Sequence, residues 1–314
     1  MAMEDVAMRP DELEGEEELI PHQGLDKDDS EYHVFGKRFS RRKRYEKCKD
    51  GDLVILFGGY EMVLQVLLEP NGRTQTRNGM FLHNEIIGRY FGSRILDTSR
   101  SKWMVVLKLC PELISISLNH RTQILYQADI SLICVLLDVS PGKNIIEAGT
   151  GSGSLTVALS RSANPGGKIY TFEYDQKRYL ESIQDFEKYG ITNVVCQHRD
   201  VCKDGFISPL LDISETRIHG VFLDLPSPWT AIRHADQVLQ KGSGIVVFSP
   251  CIEQVSKNCT ELNSLKYIHI RTFEVLYKPW GIVRGSSKKF PTKGLRYQLP
   301  MRGHTGYLSF AIKS

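Results

Sequence analysis

One carboxylate ends an apolar run in FLDLPSPW, residues 222–229. Asp224 directly precedes a turn in which Pro226 and Pro228 restrict the backbone. At the carboxyl end of a parallel strand a carboxylate lies where open α/β sheets bind ligands, and it could orient or neutralise a reacting group there. The alternative is an aspartate that only caps a turn. This stretch by itself favours neither interpretation.

A second candidate site is the glycine-rich junction in IIEAGTGSGSLTVAL, where Gly149, Gly151 and Gly153 separate an apolar strand from a helix. Glycines there allow backbone amides to approach a ligand. Glu173 ends the next apolar run, KIYTFEYD, and can accept both hydroxyls of a ribose. NAD and S-adenosylmethionine both fit this pattern. However, the third glycine comes one residue earlier than in G-x-G-x-x-G, and no Lys-Ser/Thr pair follows as in a Walker loop.

Two further acids belong to this pattern. Asp200 ends the third apolar run, in QHRDVCKDGF, and can bond an adenine amine while Val201 packs on the ring. A solvated loop aspartate is the alternative. Glu147 precedes the glycines and either faces the cationic end of a methyl donor or serves as a structural turn partner. Together the acids favour the methyl donor over NAD.

The elements that must position these residues alternate between apolar runs and helix-length segments from residue 144 onward. This alternation predicts a parallel sheet with right-handed crossovers, a Rossmann-like α/β domain over residues 111–314. A helix in RTQILYQADISLICVLLDV opens it. Short apolar runs separated by turn residues predict a small all-β domain over residues 50–110. Residues 1–49 are expected to form a flexible, charged extension.

Composition limits the classes of protein. The chain has 314 residues, 41% hydrophobic and 25% charged, and no apolar run reaches the roughly 20 residues of a membrane span. Its seven cysteines form no C-x-x-C pair, and no apolar signal segment opens the sequence, so we expect a reduced, intracellular chain. His198 and Cys202 lack a second pair at ligand spacing, and no metal site is predicted.

Charge is segregated along the chain. Residues 1–35 carry a net charge of −10 and residues 36–49 a net charge of +7, which leaves +6 for the remainder. The basic run KRFSRRKR suits a nuclear import signal, an arm for nucleic acid or a solvated surface. No acidic residue follows Glu274, so the basic loop near 281–302 could bind phosphates or be a solvated insertion.

Several motifs together resemble the eukaryotic catalytic subunits of tRNA adenine-N1 methyltransferases. They are HRTQILYQADI, EAGTGSGS, FEYDQKR, RDVCKDGF, FLDLPSPW, SPCIEQV and GHTGYLSFA. The segment RTQTRNGMFLHNEIIGRYFGSRI also resembles the β-barrel domain of that family. The resemblance covers residues 50–314. It is absent before Gly51 and poor near 281–302.

The resemblance implies methyl transfer from S-adenosylmethionine to N1 of the adenosine at position 58 in the tRNA T-loop. It also implies a nuclear heterotetramer of two pairs, each with a paralogous noncatalytic subunit, and it makes Asp224 the catalytic acid. The implied donor-binding residues are Leu125, Glu147, Gly149, Gly151, Ser152, Gly153, Ser154, Glu173, Arg178, Asp200 and Val201. The implied substrate-binding residues are Gln123, Tyr126, Pro226, Ser227, Pro228, Trp229 and His304.

Two other functions remain open at this point. The chain could be a noncatalytic, tRNA-binding paralogue, although the intact EAGTGSGS motif and Asp224 argue against it. It could also be a nicotinamide-dependent oxidoreductase, which the short glycine motif disfavours.

Overall fold

The computed structural model describes residues 31–34, 37–40, 46–59, 62–118, 125–211, 215–284, 293–297 and 303–314. The chain divides into two compact units, Met1–Leu113 and Ile114–Ser314. All seven cysteines are free thiols. Within the described part of the chain, no helix has both the length and the apolar character needed to cross a membrane.

The first unit consists mainly of short strands. Its elements are β1 (Glu31–Val34), β2 (Lys37–Ser40), β3 (Leu53–Phe57), β4 (Val63–Leu67), β5 (Arg73–Thr76), β6 (Gly79–Leu82), α1 (His83–Ile86), β7 (Arg94–Leu96) and β8 (Trp103–Leu107). Strands β4-β3-β8-β7 form one antiparallel sheet, and β1-β2 and β5-β6 form separate pairs. Strands therefore make up most of the described elements of this unit, while an all-β domain over residues 50–110 and its closure into a barrel stay predictions.

One local prediction differs from the structure here. The run MFLHNEIIG is one of the short apolar runs that predict strands over residues 50–110, but only its first half pairs in β6, and the second half forms α1. His83 is buried at that transition, where its ring bonds the Glu69 amide and the Thr74 hydroxyl. These contacts come from distant residues and override the local strand preference. The structure also assigns β1 and β2 within the extension expected to be flexible; residues 1–30, 35–36 and 41–45 of it lie outside the described residues.

The second unit alternates helices with strands. Its elements are α2 (Pro111–Ser117), α3 (Gln127–Leu136), β9 (Ile145–Ala148), α4 (Ser154–Ala163), β10 (Ile169–Glu173), α5 (Gln176–Lys188), β11 (Val194–His198), α6 (Val201–Asp204), β12 (Ile218–Leu223), α7 (Pro228–Val238), β13 (Leu239–Ser249), α8 (Ile252–Ser264), β14 (Ile268–Glu274), β15 (Trp280–Arg284), β16 (Lys293–Tyr297) and β17 (Tyr307–Ile312). This alternation follows the prediction, and α7 begins within the LPSPW turn, at Pro228.

Seven of these strands form one sheet in the order β11-β10-β9-β12-β13-β17-β14. The pairs from β11 to β13 are parallel, whereas β17 is antiparallel to both of its neighbours. Apolar side chains on both sheet faces form two buried clusters, as expected for strands covered by helices. The strand order reverses between β9 and β12, which is where doubly wound sheets bind ligands.

Candidate active site

An open cavity lies at the point where the strand order reverses; its empty space, open solvent included, is about 300 Å³. The residues that line it come from the segment before α3, from β9 and the glycine loop, from the start of α4, and from the end of β12. They are Leu125, Glu147, Gly149, Thr150, Gly151, Ser152, Ser154, Leu155, Phe222 and Asp224. Seven predicted site residues therefore meet here, since the carboxyl ends of parallel strands share one edge of the sheet.

The glycine loop lies directly against the end of β12. The amide of Asp224 donates to the carbonyl of Ala148 at 2.9 Å, which continues the sheet pairing by one residue. Gly149 has φ +94°, and a Cβ there would overlap the backbone carbonyl oxygen of Asp224. Only glycine satisfies both conditions, so this position fixes how closely the loop approaches Asp224.

Glu147 is a fully buried acid in the wall of the cavity. The hydroxyl of Thr156 donates to its Oε2 at 2.6 Å. Burial raises the pKa of Glu147 to about 7, while its hydrogen bonds to Thr156 and Thr171 oppose the shift and the nearby carboxylates of Asp224 and Glu173 add to it. The two threonines were not predicted, because a hydroxyl within a helix or strand carries no motif.

Glu173 ends β10 beside the glycine loop and is also buried. Its Oε2 accepts from the Gly151 amide at 3.0 Å, and its Oε1 accepts from Arg178 Nη2 at 2.7 Å and from the Asp175 amide at 3.0 Å. Neither Glu173 nor Arg178 is among the residues that line the cavity. In this structure Arg178 holds the carboxylate of Glu173, so its direct contact with a donor stays a prediction.

Asp200 serves as the N-cap of α6. Its Oδ1 accepts from the amides of Cys202 at 3.0 Å and Lys203 at 3.3 Å, and the neighbouring Val201 is buried. This arrangement matches the turn-cap interpretation, although the carboxylate has a second oxygen with which to bind an amine. Gly153, with φ +80°, is the N-cap of α4. Asp200, Val201 and Gly153 are not among the residues that line the cavity.

Asp224 lines the cavity next to the glycine loop and is partly buried. Burial, with a smaller contribution from the nearby Glu173 carboxylate, raises the pKa of Asp224 to about 6. The turn that follows leads straight into α7, with Ser227 as the N-cap and the buried Pro228 in the first helical turn. Proline is compatible with that position because its missing N–H has no partner there in any helix.

Helix α8 supports this turn through two side chains that sequence reasoning missed. Gln254 Nε2 donates to the carbonyl of Pro226 at 3.1 Å. Lys257 Nζ lies 4.4 Å from the centre of the Trp229 ring. Both contacts join residues 28 positions apart in the chain; Gln254 belongs to the SPCIEQV motif, whereas Lys257 lies outside it. One face of the Trp229 ring is therefore covered by Lys257, and this contact links the turn to α8.

The other residues predicted to bind the substrate are Gln123, Tyr126 and His304, and neither of the two that the structure describes is among the residues that line the cavity. His304 Nδ1 lies 2.6 Å from Glu274 Oε1, and its Nε2 lies 3.2 Å from the carbonyl oxygen of Pro250. Since both partners are acceptors, the doubly protonated ring satisfies them best, and Glu274 raises the pKa of His304. Tyr126 is the N-cap residue of α3 and does not line the cavity. Gln123 lies outside the described residues.

The charge of the cavity decides which ligand it suits. Two acids, Glu147 and Asp224, line it, and the described lining residues include no lysine or arginine. A pyrophosphate would be repelled by these carboxylates, whereas a sulfonium and an ammonium group would be attracted. The residues present therefore fit S-adenosylmethionine better than NAD. Within the described part of the chain, no group of three or more His, Cys, Asp or Glu side chains could hold a metal ion.

Solved structures share this architecture. The chain is 28% identical to an S-adenosylmethionine-dependent O-methyltransferase from Thermotoga maritima, with a TM-score of 0.73 over 85% of this chain and 94% of that one. It is 25% identical to the tRNA (m1A58) methyltransferase TrmI from Aquifex aeolicus, with a TM-score of 0.68 over 86% and 99% of the two chains. The fold and the glycine loop define the class: a Rossmann-like fold of the S-adenosylmethionine-dependent methyltransferases.

Sequence comparisons give the family. Residues 102–295 match the family described as the tRNA methyltransferase complex GCD14 subunit, and the chain belongs to this family. Two relatives are named tRNA (adenine(58)-N(1))-methyltransferase catalytic subunit. The one from Cryptococcus neoformans var. neoformans is 43% identical over 236 residues, covering 74% of this chain and 53% of the relative. The one from Dictyostelium discoideum is 40% identical over 232 residues, 73% of each chain. The chain thus spans about half the length of the first.

Proposed function

We propose that this chain is the catalytic subunit of a tRNA methyltransferase that transfers a methyl group from S-adenosylmethionine to N1 of the adenosine at position 58. The observation that carries the proposal is the position of Asp224. It lines, together with the glycine loop, a cavity whose described charged lining residues are both acidic. The names of the family and of the two relatives support the same substrate.

The donor-binding part of the site follows from charge and backbone geometry. S-adenosylmethionine supplies its methyl group from a positively charged sulfonium. We assign the cationic end of the donor to the cavity beside Glu147 and Asp224, and the ribose to Glu173. Leu125, Gly149, Gly151, Ser152 and Ser154 contribute the remaining walls. Arg178 orients Glu173, while Gly153, Asp200 and Val201 form the adjacent loop edges.

Asp224 acts on the adenine. The ring nitrogen N1 carries an in-plane lone pair and is already nucleophilic, so the main task of the protein is alignment. Methylation leaves a positive charge on the ring. A carboxylate that accepts from the exocyclic N6 amine orients the base, stabilises the growing charge and can receive the proton that is then lost. With a pKa of about 6, Asp224 is mostly ionised at neutral pH and can serve in this way.

Access to N1 places a condition on the RNA. N1 lies on the pairing edge of adenine, so the target base must leave its stack and enter the cavity. The LPSPW turn, with Pro226, Ser227, Pro228 and Trp229, lies beside Asp224 and forms the proposed base-binding side. Gln123, Tyr126 and His304 stay assigned to the substrate only through the resemblance.

We also propose that the chain works in the nucleus as an RNA-binding heterotetramer, two copies of it with two copies of a paralogous noncatalytic subunit. The family description, as a subunit of a tRNA methyltransferase complex, supports a partner. The modest net charge of +6 over residues 50–314 supports it too, because a highly charged tRNA calls for a larger basic surface. The basic run KRFSRRKR supports nuclear import.

Methyl transfer from isotopically labelled S-adenosylmethionine to tRNA tests the proposal. The chain is assayed alone and co-expressed with the paralogous subunit, and digested RNA is analysed for N1-methyladenosine. We expect the product at position 58 with the pair and much less with the chain alone. Absence of N1-methyladenosine under both conditions would refute the proposed activity, and equal activity of the lone chain would refute the need for a partner.

A further inference from the structure

An exposed aromatic pair lies on the hairpin formed by β15 and β16. Trp280 and Tyr297 are directly paired across the two strands, with ring centres 5.9 Å apart and ring planes at 87°. Trp280 is 58% exposed and Tyr297 is 38% exposed. Lys278 Nζ lies 4.9 Å from the Tyr297 ring centre and 5.7 Å from that of Trp280. We call these three residues the aromatic platform.

The fold places this hairpin on the same edge of the sheet as Asp224. Glu274, the last residue of β14, aligns with Tyr307 of β17, which aligns with Ser249 at the end of β13. The neighbouring β12 ends at the same edge, one residue before Asp224. Three strand spacings separate β12 from β14, or about 14 Å. The chain therefore leaves β14, towards the hairpin, at the sheet edge that carries Asp224.

His304 contacts the point at which the chain leaves β14 towards the hairpin. Its ring contacts both Glu274, from which the insertion leaves, and the carbonyl of Pro250, which follows β13. The same ring lies 4.7 Å from that of Tyr307, where the chain re-enters the sheet. Glu274 and Tyr307, between which the hairpin lies in the chain, are thus both in contact with His304, next to the loop that precedes α8.

Charge indicates what the platform contacts. Residues 275–314 contain eight lysines and arginines and no acidic residue. Unpaired bases stack on exposed aromatic rings, and the surrounding cations bind phosphates. A protein-binding surface would be depleted of lysine at its centre, whereas here Lys278 lies over both rings.

We propose that the aromatic platform of Lys278, Trp280 and Tyr297 binds the RNA substrate, with an unpaired base stacked on the rings. This inference rests on the proposed function, since it assigns a second contact point for the same RNA, on the segment that follows β14, a strand whose end lies about 14 Å along the sheet edge from the end of β12. It explains why large aromatic side chains are exposed at this edge. It also makes RNA phosphates the expected ligands of the basic residues near 281–302.

Steady-state kinetics of the co-expressed complex tests the stacking contact. Trp280→Ala should raise KM for tRNA roughly 5- to 50-fold, while kcat at saturating tRNA and the donor Kd change less than about twofold. Trp280→Phe keeps a ring and should restore KM to within about threefold. Ile268→Ala is the matched control, because Ile268 is 55% exposed at the opposite end of β14. A KM for Trp280→Ala equal to that of the control would overturn the inference.

Lys278→Gln tests the charge contribution. It should lower the slope of log KM against log salt concentration by roughly 0.7 to 0.9, the release of one counterion. An unchanged slope would remove Lys278 from the contact.

Ultraviolet cross-linking gives a readout that does not depend on turnover. A T-arm stem-loop RNA should cross-link to Trp280 or Tyr297, whereas a fully paired duplex of the same length should not, because it offers no unpaired base. If the wild-type complex transfers no methyl group, the proposed function fails, and this cross-link still decides the platform. Loss of the paralogous subunit from Trp280→Ala on gel filtration, without a cross-link, would identify the hairpin as a protein interface instead and overturn the inference.

Discussion

Gly149 and Asp224 are in close backbone contact across the sheet edge, although 75 residues separate them in the chain. The glycine has φ +94°, and its missing side chain leaves space for the carbonyl oxygen of Asp224. The loop assigned to the methyl donor and the acid assigned to the adenine are therefore held together by backbone contacts. A side chain added at Gly149 is expected to affect both halves of the site.

Gly149→Ala tests this contact. The added methyl group would strain the positive φ angle and displace the end of β12, so we expect the donor Kd to rise more than tenfold and the free energy of unfolding to fall by roughly 1–3 kcal/mol. Calorimetry with S-adenosylmethionine and thermal unfolding measure both. Gly190→Ala is the control, since Gly190 has φ +65° with open space around it. If the two variants behave alike, backbone strain alone accounts for the effect and the contact is unimportant.

Asp224→Ala should separate donor binding from catalysis. We expect the fold and most of the donor affinity to remain, because Glu147, Glu173 and the glycine loop are unchanged, while kcat falls roughly 100- to 1000-fold. Asp224→Asn keeps an acceptor for the adenine amine but cannot neutralise the ring charge. Single-turnover rates near wild type for Asp224→Asn would mean that orientation dominates over charge. Near-normal turnover of a folded Asp224→Ala protein would return Asp224 to the role of a turn residue.

The rate of methyl transfer should depend on pH through Asp224. Its pKa of about 6 means that the ionised form is lost as the pH falls below 6, so kcat/KM should drop about tenfold per pH unit there and level off above pH 7. The carboxyl group of Glu147, with its pKa raised to about 7, lines the same cavity and contributes to the profile. Asp224→Asn should flatten the acidic limb. An acidic limb unchanged in that variant would assign it to another group.

The buried Glu147 should make stability decrease as the pH rises. Its pKa is about 7 in the folded chain against the ordinary 4.5, so the folded chain binds more protons than the unfolded chain between these values. Stability is then greatest below pH 4.5 for this group and is lost as the pH rises towards 7, by at most about 3 kcal/mol. Glu147→Gln should flatten the dependence of Tm between pH 5 and 7.5, and Glu187→Gln, at an exposed position on α5, should not. Equal profiles for the two variants would contradict the assignment.

Gln254 should act as a positioning residue for the Asp224 turn. Removing its hydrogen bond to the Pro226 carbonyl, worth about 0.5–1.5 kcal/mol, should lower kcat roughly 2- to 10-fold without changing the donor Kd. Because a purely structural loss would lower Tm without a separate effect on kcat, both are measured. Glu253→Ala, at the exposed neighbouring position of α8, is the control. A Gln254→Ala variant with unchanged kcat would exclude the positioning role.

The sequence by itself determined which residues form the central part of the candidate site. The strand that ends at Ala148, the glycine run, and the acids Glu173 and Asp224 could be identified because apolar periodicity predicts parallel strands. All parallel strands place their carboxyl ends on one edge of a sheet. The types of the residues at those ends then predicted the chemistry. Local pattern was sufficient here because strand, loop and helix follow one another directly in the chain.

Only the tertiary structure decided the contacts that support this part. The antiparallel insertion of β17 between β13 and β14 depends on the order of strands in space, which periodicity does not encode. The contact of Gln254 with Pro226, the contact of His304 with Glu274 and the pairing of Trp280 with Tyr297 join residues far apart in the chain. Such pairs form when packing brings separate elements together. The burial that raises the pKa of Glu147 and Asp224 arises in the same way, from the surrounding elements rather than from the residues beside them in the sequence.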